Sequence, residues 1–139
     1  MRKGRTVVNV LCAVGFLYTI CGCILFFVFP DGFMRYVADA FNTPFPAIVL
    51  ANFSGWIIAI LIFPVGLAYL LALIYPDASH PLLMVATCDK VLVVLCALPA
   101  LFSGTLNPMF SAFVIFDGIF ALVGIYAVVV TRKQKGASG

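Results

Sequence analysis

Four apolar runs, each about as long as the roughly 20 residues a helix needs to cross ~30 Å of hydrocarbon, dominate the chain. They cover about residues 7–29, 47–75, 82–102 and 109–130. Breakers separate them: Pro30, Asp31 and Gly32 after the first, Pro44 and Pro46 before the second, "YPDASHP" before the third and "SGTLNP" before the fourth. In lipid a backbone must satisfy its own hydrogen bonds, which leaves helices or a closed barrel, and no period-two alternation supports a barrel. The expected fold is all-α, a four-helix transmembrane bundle making one membrane domain over residues 1–139. Composition agrees: 65% of the residues are apolar and only 9% charged. A soluble domain of this length could not cover that much apolar surface, so the lipid bilayer is the first partner.

Charge placement gives the orientation. Six of the eight basic residues stand in two end clusters, Arg2, Lys3 and Arg5, and Arg132, Lys133 and Lys135. Such clusters flanking apolar runs are topology signals, and they argue against a nucleic-acid partner despite the net charge of +3. An even number of spans returns the chain to its starting side, so both termini are expected in the cytoplasm. The first loop then lies outside. Its Phe33, Tyr36, Val37 and Phe41 are spaced for a short interfacial helix, either a lid over the bundle mouth or a simple connector. A cleaved leader fits poorly, because the first apolar run exceeds the usual 7 to 15 residues of a signal core and Cys21 stands where a small aliphatic or hydroxyl residue belongs.

The exception to the hydrocarbon pattern is "ATCDKVLVVL", where Asp89 and Lys90 interrupt the third span. Lys90 lies about nine residues into that span, roughly 13 Å at 1.5 Å per residue, too deep for its amine to snorkel to the interface. It needs a carboxylate. Asp117 reaches a comparable depth in the fourth span, which runs antiparallel to the third and follows it after a short turn, so a Lys90–Asp117 ion pair is expected inside the bundle. An isolated charge at a helix centre costs about 2.5–3.5 kcal/mol on insertion scales, and intramembrane ionisable residues are functional-site candidates by default. Asp89 makes the three groups sum to a negative charge if all are ionised, and an unpaired carboxylate at that depth is expected to take a proton. Positions 89 and 90 differ by about 100° around a helix, so both border one interior only if it is a cavity. The bland reading is a staple between two helices.

Other polar and small residues are candidates for the cavity wall: Asn52 and Trp56 in the second span, Tyr69 further along it, and Thr87 one turn before Lys90. For Trp56 and Tyr69 simple packing is the competing reading. Ala51, Gly55 and Ala59 form a small-residue stripe, as do Cys12, Gly15, Thr19 and Cys23 in the first span, and both read as helix seams. Pro64 and Gly66 can loosen the second span beside Lys90. The five cysteines, at 12, 21, 23, 88 and 96, fall within spans with no CxxC pair and read as packing residues. No metal site is expected, because His80 is the only histidine and is placed in a loop with Asp77. The "NFS" at Asn52 lies inside a span and cannot serve as a glycosylation acceptor. No nucleophile with a base, and no phosphate loop, is visible, so an enzyme is the weaker reading.

The stretches "GLAYLLALIYP", "CDKVLVVL", "SGTLNP" and "FVIFDGIFALVGIY" resemble a family of small four-helix bacterial membrane proteins of unknown function, distantly similar to the DoxX-like group. The matching positions are Gly66, Tyr69, Pro76, Lys90 and Asp117, and this chain adds Asp89 and several cysteines. The resemblance implies an accessory subunit linked to quinone-associated oxidoreductases. The expected function is a binding or accessory protein whose Lys90, Asp117 and Asp89 receive a lipid-like or quinone-like ligand or a partner, within a larger membrane complex or a homo-oligomer. The alternative is a proton-coupled small-solute carrier, or a minimal membrane enzyme, using a titrating aspartate. No particular cofactor is implied.

Overall fold

The computed structural model describes the backbone of residues 2–30, 35, 39, 48–104 and 108–136, with side chains described for 4–30, 35, 39, 55–99, 101–104 and 111–133. Four long helices make up the fold: α1 (Arg2–Val28), α2 (Ile48–Ile74), α3 (Ser79–Phe102) and α4 (Pro108–Gly136). Each contains a stretch long and apolar enough to cross a membrane. This is an integral membrane protein built as a four-helix bundle. The helices extend past the apolar runs at the basic ends of α1 and α4. Hydrogen bonding carries them on into the headgroup layer, where charged side chains are at no disadvantage. The interfacial helix expected in the first loop falls outside the described residues.

Local sequence explains the boundaries. Before α3, the Pro76–Ala78 turn of 3₁₀ helix is fastened by the Ser79 hydroxyl, which donates to the Pro76 carbonyl at 2.6 Å. Pro81 is harmless in the first turn of α3, where backbone N–H groups have no helical acceptor to lose. At its other end α3 stops at Gly104, whose positive φ of 68° turns the chain out of the helix. Pro64 leaves α2 helical from end to end.

Each helix packs against its sequence neighbours, and α1 closes the ring against α4 through the slightest of these contacts. The start of α1 and the end of α4 lie together, with Gly4 beside Val130. This is the basic end of the bundle. The α1–α2 seam follows the two small-residue stripes. Cys12, Gly15, Thr19 and Cys23 are all buried, and they meet Ala59, Gly66 and Tyr69 of α2. A β-carbon on Gly15 would come within 2.9 Å of the fully buried Tyr69 ring, and one on Gly55 within 2.6 Å of Pro30. The outer surface of the spans is largely apolar, with Leu17, Ile60, Leu92 and Leu122 among its exposed residues. Lipid is the solvent they require.

Two apolar clusters fill the interior. The larger lies toward the basic end and joins Leu11, Cys12, Ala68, Tyr69, Leu83 and Ala127, and the smaller, Ala97 with Val114, lies toward the far end. Between them on α3 and α4 stand Lys90 and Asp117. Gly15→Ala is expected to destabilise the protein by about 1–3 kcal/mol despite alanine's better helix propensity, because the Tyr69 ring has nowhere to go. Gly22→Ala, whose new methyl would meet nothing nearer than Ile62 at 3.5 Å, serves as the neutral control in detergent melting curves.

Candidate functional site

Lys90 stands at the middle of the 24-residue α3 and is only 6% exposed, and Asp117 on α4 is 7% exposed. The Lys90 Nζ lies 3.2 Å from Asp117 Oδ1, so the ion pair expected from the sequence is present and joins the α3–α4 hairpin at its centre. Asp89 contributes a second carboxylate, with its Oδ2 3.5 Å from the same ammonium. Unlike the pair it is partly accessible, its side chain being 28% exposed. The result is one amine between two carboxyl groups, one sealed in the interior and one at its margin.

A third helix completes the cluster. Tyr18 of α1 lies beneath the ammonium, its ring centroid 5.4 Å from Nζ, within the range where a cation is attracted to an aromatic face. Its hydroxyl is within hydrogen-bonding reach of the Asp117 carboxylate. Phe120, nearly one turn on from Asp117, stacks on Tyr18 at 5.3 Å between centroids and so fixes the ring. Tyr18 is the residue that sequence reasoning missed. The signal was its depth, 17 residues into a helix antiparallel to α4, but a tyrosine among phenylalanines and leucines looks like packing until its partner helix is known.

The four candidate wall residues divide. Thr87 and Tyr69 are buried as the cavity reading requires. Trp56 is not: it is 45% exposed, and the expectation that it lines the interior is corrected. Gly55 faces α1 through Pro30 and Phe26, and one further residue of helix rotation, about 100°, turns Trp56 outward. The Asn52 side chain lies outside the described residues. His80 is corrected too, from the loop to the first turn of α3, where its Nδ1 is 3.2 Å from both the Val128 carbonyl and the Thr131 hydroxyl of α4. Of the cysteines, Cys12 and Cys23 are buried in packing, while Cys21, Cys88 and Cys96 face outward, and all five are free thiols.

Among the described residues, three buried polar atoms have no hydrogen-bond partner within the protein: Tyr69 Oη, Thr87 Oγ1 and Asp117 Oδ1. For Asp117 the ammonium is close enough for a strong Coulombic contact but stands off the hydrogen-bonding direction. Thr87 is instructive because the other buried threonines look after themselves. Thr19 donates to the Gly15 carbonyl at 2.7 Å and Thr131 to Ala127 at 2.9 Å, the usual back-bond of a hydroxyl in a membrane helix. Thr87 instead aims its Oγ1 at Gly124, where an added β-carbon would come within 2.5 Å. Asp89 and Asp117 both act electrostatically on the Tyr69 hydroxyl. No family model, curated protein or solved structure matches the chain.

The geometry refines what charge removal should do. Lys90→Met leaves two carboxylates without a cation and is expected to cost about 3–5 kcal/mol, the range for breaking a buried pair from one side. Asp117→Leu should cost less, because Asp89 still faces the amine. Removing all three charges, as Asp89→Asn, Lys90→Met and Asp117→Leu together, should restore most of the stability. Melting curves of the purified variants in one detergent check the order.

Proposed function

We propose that this protein is a binding or accessory subunit of the membrane, and that its midplane cluster receives the polar group of a lipid-like or quinone-like ligand. The observation that carries the reading is a pair of buried hydroxyls without a hydrogen-bond partner, Tyr69 Oη and Thr87 Oγ1, in the same bundle interior as the buried Lys90–Asp117 pair. Each costs about 1–3 kcal/mol if nothing meets it, and buried polar groups are ordinarily satisfied. A guest that both donates and accepts hydrogen bonds suits this set. Lys90 offers donors to a carbonyl or phenolate-like oxygen, while Asp117 Oδ1 and the hydroxyls of Thr87 and Tyr69 accept or donate as the guest requires. A site for a freely diffusing polar solute would need a wet path. The exposed surface around this one is hydrocarbon, which favours a ligand arriving through the bilayer.

The resemblance at Gly66, Tyr69, Pro76, Lys90 and Asp117 to the DoxX-like pattern supports an accessory role, within a larger assembly or a homo-oligomer. The basic clusters favour both termini in the cytoplasm, and the same resemblance favours a bacterial inner membrane. The partial exposure of Asp89 supports a second reading, a proton-coupled carrier, because it leaves one carboxyl group of the cluster reachable from outside the sealed pair.

The test uses Tyr69→Phe, which removes one of the unpartnered hydroxyls without altering the ring. If the hydroxyl serves only structure, stability is unchanged or improved and so is everything else. If it meets a ligand, the variant stays folded but loses the small molecule that co-purifies with wild type in mild detergent, read by mass spectrometry of the extracted lipids and quinones. Identical extracts from wild type, Tyr69→Phe and the charge-free triple variant would refute ligand binding at this site. Proton uptake driven by solute in vesicles, abolished by Asp89→Asn, would replace it with the carrier.

A further inference from the structure

α1 and α4, the least closely packed pair in the ring, leave an apolar groove of about 450 Å³ open to the outside of the bundle. Its lining begins at Thr6 and Val7 near the basic end and continues past Val10 to Val14 on α1, and between Val123 and Phe116 on α4. The nine residues from Thr6 to Val14 span about 12 Å of helix, close to the ~15 Å depth of one leaflet's hydrocarbon. Apart from Thr6 its walls are valine, leucine, isoleucine and phenylalanine side chains, which suit a hydrocarbon chain lying along the two helices.

The charge at that end is one-sided. Arg2, Lys3 and Arg5 belong to the first turns of α1, and Arg132, Lys133 and Lys135 to the last turns of α4. Against these six cations, the one acidic residue in the segments at this end is Asp77, in the turn before α3. Arg5, Arg132 and Lys133 are exposed, and Lys133 stands two heptads beyond Ile119, a residue of the groove wall, and so on nearly the same face of α4. Gly4 meeting Val130 sets the first turn of α1 beside the end of α4, so the described cations Arg5, Arg132 and Lys133 share this end of the bundle with the groove.

We infer that this groove is a binding site for an anionic phospholipid of the leaflet that holds the basic end. One acyl chain lies between α1 and α4, with its methyl end near Val14 and Phe116, and the phosphate rests between the two basic clusters. Cations at a helix end each attract an anionic headgroup, and a groove that aligns one chain turns that general attraction into a located site. The site is separate from the midplane cluster and stands whether or not that cluster binds a ligand.

Native mass spectrometry of the full chain, released from bilayers of equal phosphatidylglycerol and phosphatidylcholine, tests it. The expected result is a retained lipid that is mainly phosphatidylglycerol. Arg5→Gln with Lys133→Gln should lower the preference by about fivefold per cation removed. Val10→Trp fills the groove at a position already 57% exposed, so the fold tolerates it, and should abolish retention while leaving the melting temperature in detergent unchanged. Equal retention of the two lipids by wild type would overturn the proposal. So would phosphatidylglycerol retained undiminished by Val10→Trp, or a shift from dimer to monomer in that variant, which would assign the groove to a second copy of the chain.

Discussion

An ammonium group held at the centre of a bilayer is the constraint around which this bundle is arranged. Lys90 cannot reach water from the middle of α3, so the helices around it are positioned to neutralise it. Asp117 supplies the charge from α4, Asp89 a second one from the neighbouring position, and Tyr18 an aromatic face from α1. Three of these four residues sit on the α3–α4 hairpin, and only Tyr18 draws α1 in. The cluster therefore couples the hairpin to the remainder of the bundle at the level where hydrocarbon is driest and an unmatched charge would be most costly.

Packing on either side follows from that layer. Apolar interiors lie above and below it, and the α1–α2 seam is brought close by residues without bulk, Gly15 under Tyr69 and Gly66 under Thr19. In lipid no hydrophobic force drives helices together, so close approach and internal polar contacts must serve instead. The bundle uses both devices, and it uses them at different places: small residues along α1 and α2, charge along α3 and α4.

Much of this was legible in the residues. Four spans follow from the length of the apolar runs, and the Lys90–Asp117 pair follows from depth and antiparallel direction alone, because so few charges leave the lysine little choice. The seam was legible because Gly and Ala recur at helical spacing. What escaped was whatever depends on rotation about a helix axis. Every face of a membrane helix is apolar, so hydrophobic pattern does not tell inside from outside, and Trp56 was assigned inward and Tyr18 passed over for the same reason. His80 was misplaced because Pro81 looked like a break in the chain, although a proline in a first helical turn removes no hydrogen bond.

The contact of His80 with α4 carries a consequence for how the α3–α4 hairpin is fastened. The Val128 carbonyl can only accept, and the single hydrogen of the Thr131 hydroxyl is directed to carbonyls of its own helix, so the imidazole Nδ1 must be the nitrogen that bears hydrogen. That one donor latches the start of α3 to the end of α4. The hairpin is thereby tied at its open end as well as at its middle, and its two arms are kept from splaying where no covalent turn joins them.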